Sequence, residues 1–129
     1  MKNFLGIDWG TSFVGLALAD NETRIAFSYD TLKNDGEFFK KLADLIERES
    51  VDTIVLGMPV IRTQQESFDI KEIGGKIKEE LGVNISYQNE MFTTKIAEKN
   101  LIERGMKKIK RLDNQESARI ILQDWLDSE

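Results

Sequence analysis

Residues 6–20 read Gly6-Ile7-Asp8-Trp9-Gly10-Thr11-Ser12-Phe13-Val14-Gly15-Leu16-Ala17-Leu18-Ala19-Asp20, and the position of one carboxylate among them decides the fold. Phe4 to Ile7 is apolar on both faces, as a strand in the middle of a sheet would be, so Asp8 is delivered from the sheet interior to its edge. Gly10 permits a tight turn or the close approach of a ligand. A second strand from Phe13 to Ala19 then returns beside the first. This arrangement suits the holding of a metal or a phosphate.

Outward from this hairpin, Asp20-Asn21-Glu22 supplies turn chemistry, and the alternation over Thr23 to Ser28 predicts a third strand closing an antiparallel meander. The period then changes. Phe38, Phe39, Leu42, Leu45 and Ile46 recur at helical spacing between Asp35 and Glu49, with Asn34 or Asp35 as N-cap. Thr53 to Leu56, stopped by Gly57 and Pro59, is a continuous apolar run that suits a buried parallel strand. Ile70, Ile73, Ile77 and Leu81 form one stripe of a helix over Ser67–Leu81 ended by Gly82, and Gly74-Gly75 weaken it by about 1 kcal/mol each. Val83, Ile85 and Tyr87 alternate with polar residues in a fifth strand that stops just before Glu90. Thr93 or Thr94 caps a helix running to Arg104, and Ala118, Ile121, Leu122, Trp125 and Leu126 mark a last helix starting near Asp113 or Asn114.

With 129 residues, the chain is expected to be one domain, too short for two lobes that close on a substrate. It has neither cysteine nor histidine. Disulfides, thiolate nucleophiles, sulfur-built zinc sites and imidazole bases are therefore excluded, leaving carboxylates, hydroxyls, lysines or bound metal for any chemistry. No apolar stretch nears the roughly 20 residues that cross a bilayer, and no signal-peptide layout precedes the first strand, so a cytoplasmic location with no membrane partner is expected. The net charge of -5 speaks against a general nucleic-acid binder. Yet Arg104-Gly105-Met106-Lys107-Lys108-Ile109-Lys110-Arg111 carries five cations and no acid, a local reversal of sign suited to phosphates at Lys107, Lys108, Lys110 and Arg111.

Three acids fall at element ends: Asp8, Glu90, and Asp113 with Glu116 at the start of the last helix. Oxygen ligands from separate strands and a helix could together hold one or two magnesium ions over a phosphodiester. The bland readings are an Asx-turn for Asp8, a solvated loop position for Glu90, and a capping box for Asp113-Asn114-Gln115-Glu116.

Four ordered blocks bear on this choice: Gly6-Ile7-Asp8-Trp9-Gly10 with Gly15 to Asp20, Ile54-Val55-Leu56-Gly57-Met58-Pro59, Asn89-Glu90-Met91-Phe92-Thr93-Thr94, and Ala118 to Leu126. Nearly end to end, the chain resembles the YqgF/RuvX family of Holliday junction resolvase-like proteins. The resemblance implies an α/β, ribonuclease H-like fold: a five-stranded mixed sheet of three antiparallel strands followed by two parallel ones, flanked by helices. It implies a nuclease using Mg2+ or Mn2+, held by Asp8, Glu90 and a third acid. It also implies nucleic acid as partner, either the 16S ribosomal RNA precursor matured at its 5' end or branched DNA, with the protein a monomer or homodimer. An ungapped match puts the family's third aspartate on Asn114, with Asp113 one position early and Glu116 two late; Asp113 is the expectation here. Ser12-Phe13 replaces a basic pair, and Asn89 and Met91 stand where an aspartate and an arginine are usual. Two rivals remain: an actin-like nucleotide binder, for which one domain is too few, and a catalytically silent nucleic-acid-binding module.

Overall fold

The computed structural model describes the backbone of residues 2–58, 64–89 and 110–129, and the side chains of 2–58, 69–89 and 114–129. The elements run β1 (Asn3–Asp8), β2 (Phe13–Asp20), β3 (Phe27–Lys33), α1 (Phe38–Arg48), β4 (Val51–Met58), α2 (Gln64–Leu81), β5 (Asn84–Asn89) and α3 (Lys110–Ser128). The strands form one sheet in the order β3-β2-β1-β4-β5. β1, β2 and β3 pair antiparallel, whereas β4 joins β1 and β5 joins β4 in parallel. This is the mixed sheet that the family resemblance implies, with β1 at its centre.

Alternation along β1 divides the core in two. Leu5 and Ile7 pack with Val14, Leu16, Ile54 and Leu56 against Phe38, Leu42 and Leu45 of α1 and Ile70 and Ile77 of α2. On the opposite face Phe4, Ala17, Ala19 and Val55 pack against Ala118, Ile121, Leu122 and Leu126 of α3. With α1 and α2 on one face, both parallel connections cross on the same side, as a right-handed wind requires. Among the described residues no helix is long and apolar enough to cross a membrane.

The third strand departs from expectation: it covers Phe27–Lys33, not Thr23–Ser28. The cause is local. Asp20 accepts hydrogen bonds from the Glu22 and Thr23 N–H groups at 2.9 and 2.7 Å and from the Thr23 hydroxyl at 3.1 Å, and Arg24 takes a left-handed φ of 54°. The extended turn delays pairing, and the Ala26 N–H is taken by Gln123 of α3 at 2.8 Å. The first helix likewise begins at Phe38 rather than Asp35, with Glu37 at its N-cap and no side-chain cap bond. Asp35 holds the entry instead, accepting from the Glu37 N–H at 2.9 Å. Both strands of the parallel pair lie within a few residues of expectation: β4 extends to Val51 and Met58, and β5 starts one residue later, at Asn84. α2 begins at Gln64, ahead of the expected Ser67, and the ring of Tyr87 on β5 closes over Gly74, where a Cβ would meet its hydroxyl. α3 starts at Lys110, about a turn ahead of the expected Asp113 or Asn114. The predicted helix between Thr93 and Arg104 lies outside the described residues.

Candidate active site

Asp8 is the last residue of β1, half-buried, and pairs across the antiparallel ladder with Gly15 of β2. Because Phe4 belongs to the α3-facing core, alternation puts Gly6 and Asp8 on that same face. Two glycines let α3 lie close against it. A Cβ on Gly6 would stand 2.7 Å from Leu122 Cβ and 2.8 Å from the Ala118 carbonyl oxygen, and one on Gly15 would fall on the backbone carbonyl of Asn114. The helix backbone at Asn114 therefore rests on the residue paired with Asp8, and Asp113 is the residue before that contact.

The parallel strands bring a third element to the same edge. Ile7, Leu56 and Tyr87 share one level across β1, β4 and β5, so β5 ends at Asn89 on the edge where Asp8 emerges, about 10 Å away across one intervening strand. Glu90 is next in sequence and lies outside the described residues, as do Lys107 and Lys108. Lys110, Arg111 and Asp113 lie in the first turns of α3, where the backbone alone is described. The fold thus brings together Asp8 and the turn that carries Asp113, with the end of β5 on the same edge. Among the described residues no three acidic side chains cluster; of the three expected acids, only Asp8 has a described side chain.

The capping-box reading of Asp113 and Glu116 does not survive. Asp113 is inside a helix that starts at Lys110, and the Glu116 carboxylate accepts from Arg119 Nε at 3.2 Å and Nη2 at 2.5 Å. That ion pair raises the Arg119 pKa. Two residues of helix turn a side chain by about 200°, so with Asn114 on the sheet Glu116 faces away from it.

Asn34, an N-cap candidate by sequence, contacts the loop after Asp8 instead. Asn34, just past β3, donates from Nδ2 to the Gly10 carbonyl at 2.7 Å and from its backbone N–H to the Ser12 carbonyl at 3.0 Å. It thereby grips the loop that follows Asp8. The Trp9 ring packs edge-on against Phe38 with centroids 5.3 Å apart. Nothing in the spacing of Asn34 distinguishes this from a helix cap; only the pairing of Phe13 with Lys33 brings it to the loop.

The family model for RuvX, Holliday junction resolvase, matches residues 2–128. The chain belongs to the RuvX family. A Dictyoglomus thermophilum member, named as a candidate pre-16S rRNA nuclease, is 37% identical over 131 residues, covering 96% of this chain and 94% of its own length. A Lactococcus lactis member of the same name is 33% identical over 133 residues, covering 96% and 93%. Among solved structures, Thermus thermophilus RuvC in complex with a Holliday junction substrate superposes with a TM-score of 0.63 at 16% identity, over 99% of this chain and 95% of that one. The fowlpox virus resolvase in complex with junction DNA gives 0.58 at 14% identity, over 98% and 97%. These likenesses carry the ribonuclease H-like fold, and RuvX membership carries nuclease activity as the general function.

Proposed function

We propose that this RuvX-family chain is a divalent-metal-dependent nuclease that hydrolyses phosphodiester bonds in structured nucleic acid, maturing the 5' end of the 16S ribosomal RNA precursor in the cytoplasm. The observation that carries the reading is the meeting of Asp8 with the first turns of α3 through the Gly15–Asn114 contact. The names of the Dictyoglomus and Lactococcus relatives support the RNA substrate.

Asp8, Glu90 and Asp113 offer hard oxygen donors of the kind Mg2+ and Mn2+ prefer, and Asp8 lies half-buried at the sheet edge, where a carboxylate can face a bound ion. Such an ion supplies Lewis acidity at the scissile phosphate. Asp8 anchors the site, Glu90 completes it from the end of β5, and Asp113 orients the attacking water. With no histidine in the chain, the proton of that water passes to a carboxylate or to solvent. Lys107, Lys108, Lys110 and Arg111 hold the flanking phosphates, aided at α3 by the free amides of its N-terminus.

The test is cleavage of precursor RNA with and without Mg2+ or Mn2+, beside a four-way DNA junction as alternative substrate. Cleavage should require the metal and fall to background in Asp8→Asn while circular dichroism stays unchanged. Metal-independent cleavage, or full activity in that variant, overturns the reading. Faster cleavage of the junction would move the substrate to DNA.

Asn114 favours a second reading, a module that binds without cutting, since a neutral amide stands at the helix position resting on Gly15. Asn114→Asp separates the two: a large gain in cleavage would mark the natural site as incomplete, and an unchanged rate supports Asp113 as third acid.

A further inference from the structure

The geometry points to Asn34 as a positioning residue for the Asp8 corner, an inference that rests on the metal-dependent nuclease reading. The loop 9–12 leaves the sheet directly after Asp8, and its two ends of contact lead to one place, the junction of β3 with α1. Trp9 lies edge-on against Phe38, the first residue of α1 and fully buried. The carbonyls of Gly10 and Ser12 both accept hydrogen bonds from Asn34, one from its side chain and one from its backbone. Asn34 is itself fixed, because Lys33 before it pairs with Phe13, and Asp35 after it accepts from the Phe38 N–H at 3.2 Å through its carbonyl. The loop is therefore tied to a rigid part of the fold rather than held by its own turn alone.

The chemistry of the clamp selects asparagine. Gly10 offers a carbonyl, so the partner must donate, and an ionised aspartate of the same shape offers acceptors only. Fixing the Gly10 carbonyl also fixes the plane of the Gly10–Thr11 peptide, because that unit is planar and trans. This restrains the course of the backbone leaving Asp8, and with it the place of the Asp8 main chain beside α3. Asn34 touches neither substrate nor metal; it acts through the loop. Partners that bond directly to a metal ligand alter affinity or activity by about 10- to 100-fold, and Asn34, acting one step further out through the loop, belongs at the lower end of that range.

The experiment compares wild type, Asn34→Asp, Asn34→Ala and the remote turn control Asn21→Ala. Three measurements are made: steady-state cleavage, Mn2+ titration by calorimetry, and backbone amide exchange. Both Asn34 variants keep the backbone bond to Ser12 and the core beneath, so their Tm should fall by no more than a few degrees. Amide exchange across Gly10–Phe13 should quicken about three- to tenfold, the worth of one hydrogen bond. Mn2+ binding should weaken about tenfold. The kcat should fall about tenfold, with KM within about twofold, as misplacement of a reacting group predicts. Asn21→Ala should match wild type throughout. Wild-type kcat and Mn2+ affinity in both Asn34 variants overturn the inference. So does a loss of activity that follows Tm and appears equally in KM, which marks Asn34 as merely structural. If wild type itself neither binds Mn2+ nor cleaves, the nuclease reading fails, and the inference about Asn34 falls with it; loop exchange tells this from a failed clamp.

Discussion

A methyl group at position 15 has nowhere to go, because the backbone of Asn114 occupies its place. Gly15→Ala should therefore cost about 1–3 kcal/mol by overpacking and push the start of α3 off the sheet. Gly6→Ala meets Leu122 Cβ at 2.7 Å and the Ala118 carbonyl oxygen at 2.8 Å, a looser clash than the one at Gly15; it should cost less, and its contact lies a turn or more further along the helix. The two substitutions should separate in the cleavage assay: well below the melting range, Gly15→Ala loses most of its kcat while Gly6→Ala keeps it. Equal activity in both would detach the Asn114 contact from the site. Asp20 makes a different prediction. Its pKa is lowered from 3.8, chiefly by the Thr23 N–H. A carboxylate whose folded pKa is depressed adds stability that is present above its unfolded value and lost as pH falls through the folded one. The Tm deficit of Asp20→Asn, clear at pH 6, should accordingly shrink as pH drops below the ordinary aspartate range.

At the scale of elements, α3 joins the sheet to the site. Trp125 Nε1 donates to Ser86 Oγ of β5 at 2.9 Å, and on the same face Gln123 reaches towards the opposite edge strand, accepting from the Ala26 N–H just before β3. Trp125→Phe keeps most of the ring packing and removes the first bond, so it should cost about 1 kcal/mol in chemical denaturation. Leu122→Ala, at a fully buried position, should cost about 2–5 kcal/mol. These elements also mark what the sequence could and could not say. The period of the apolar residues placed β1, β2, β4, α1 and the core face of α3, because burial alone decides them. The start of β3 escaped, since it depends on the capping of a turn by Asp20 and on the bond that the Ala26 N–H donates to Gln123, almost a hundred residues away. The start of α3 escaped because Lys110 and Arg111 are polar and leave no periodic signal. The place of Asp8 at the end of β1 was legible from its motif. The grip of Asn34 on the loop was not, because a hydrogen bond to a residue 24 positions earlier follows only from the register of β2 with β3.

Over the whole molecule, charge is divided as the proposed function requires. The chain holds 18 cationic and 23 acidic residues; residues 104–111 contribute five of the cations and none of the acids, so the remainder carries -10. Substrate should therefore be drawn to this basic segment against an acidic remainder, and binding should depend steeply on salt. Lys110 and Arg111 sharpen this. They occupy the first turn of α3, where the positive end of the helix dipole opposes cations by about 0.3–1 kcal/mol each. A polyanion would offset that cost. If Lys107, Lys108, Lys110 and Arg111 each neutralise one phosphate, the slope of log affinity against log salt should lie near about -3 to -4. Raising salt from about 50 to 200 mM would then weaken binding about 50- to 150-fold. Replacing all four by alanine should bring the slope close to zero, and relief of the dipole conflict at positions 110 and 111 should raise Tm slightly even as affinity falls. Fluorescence anisotropy with labelled precursor RNA across a salt series measures the slope. A variant that keeps the wild-type slope would show that the phosphates are held elsewhere, since alanine at these positions removes the charge whatever the path of the chain between β5 and α3.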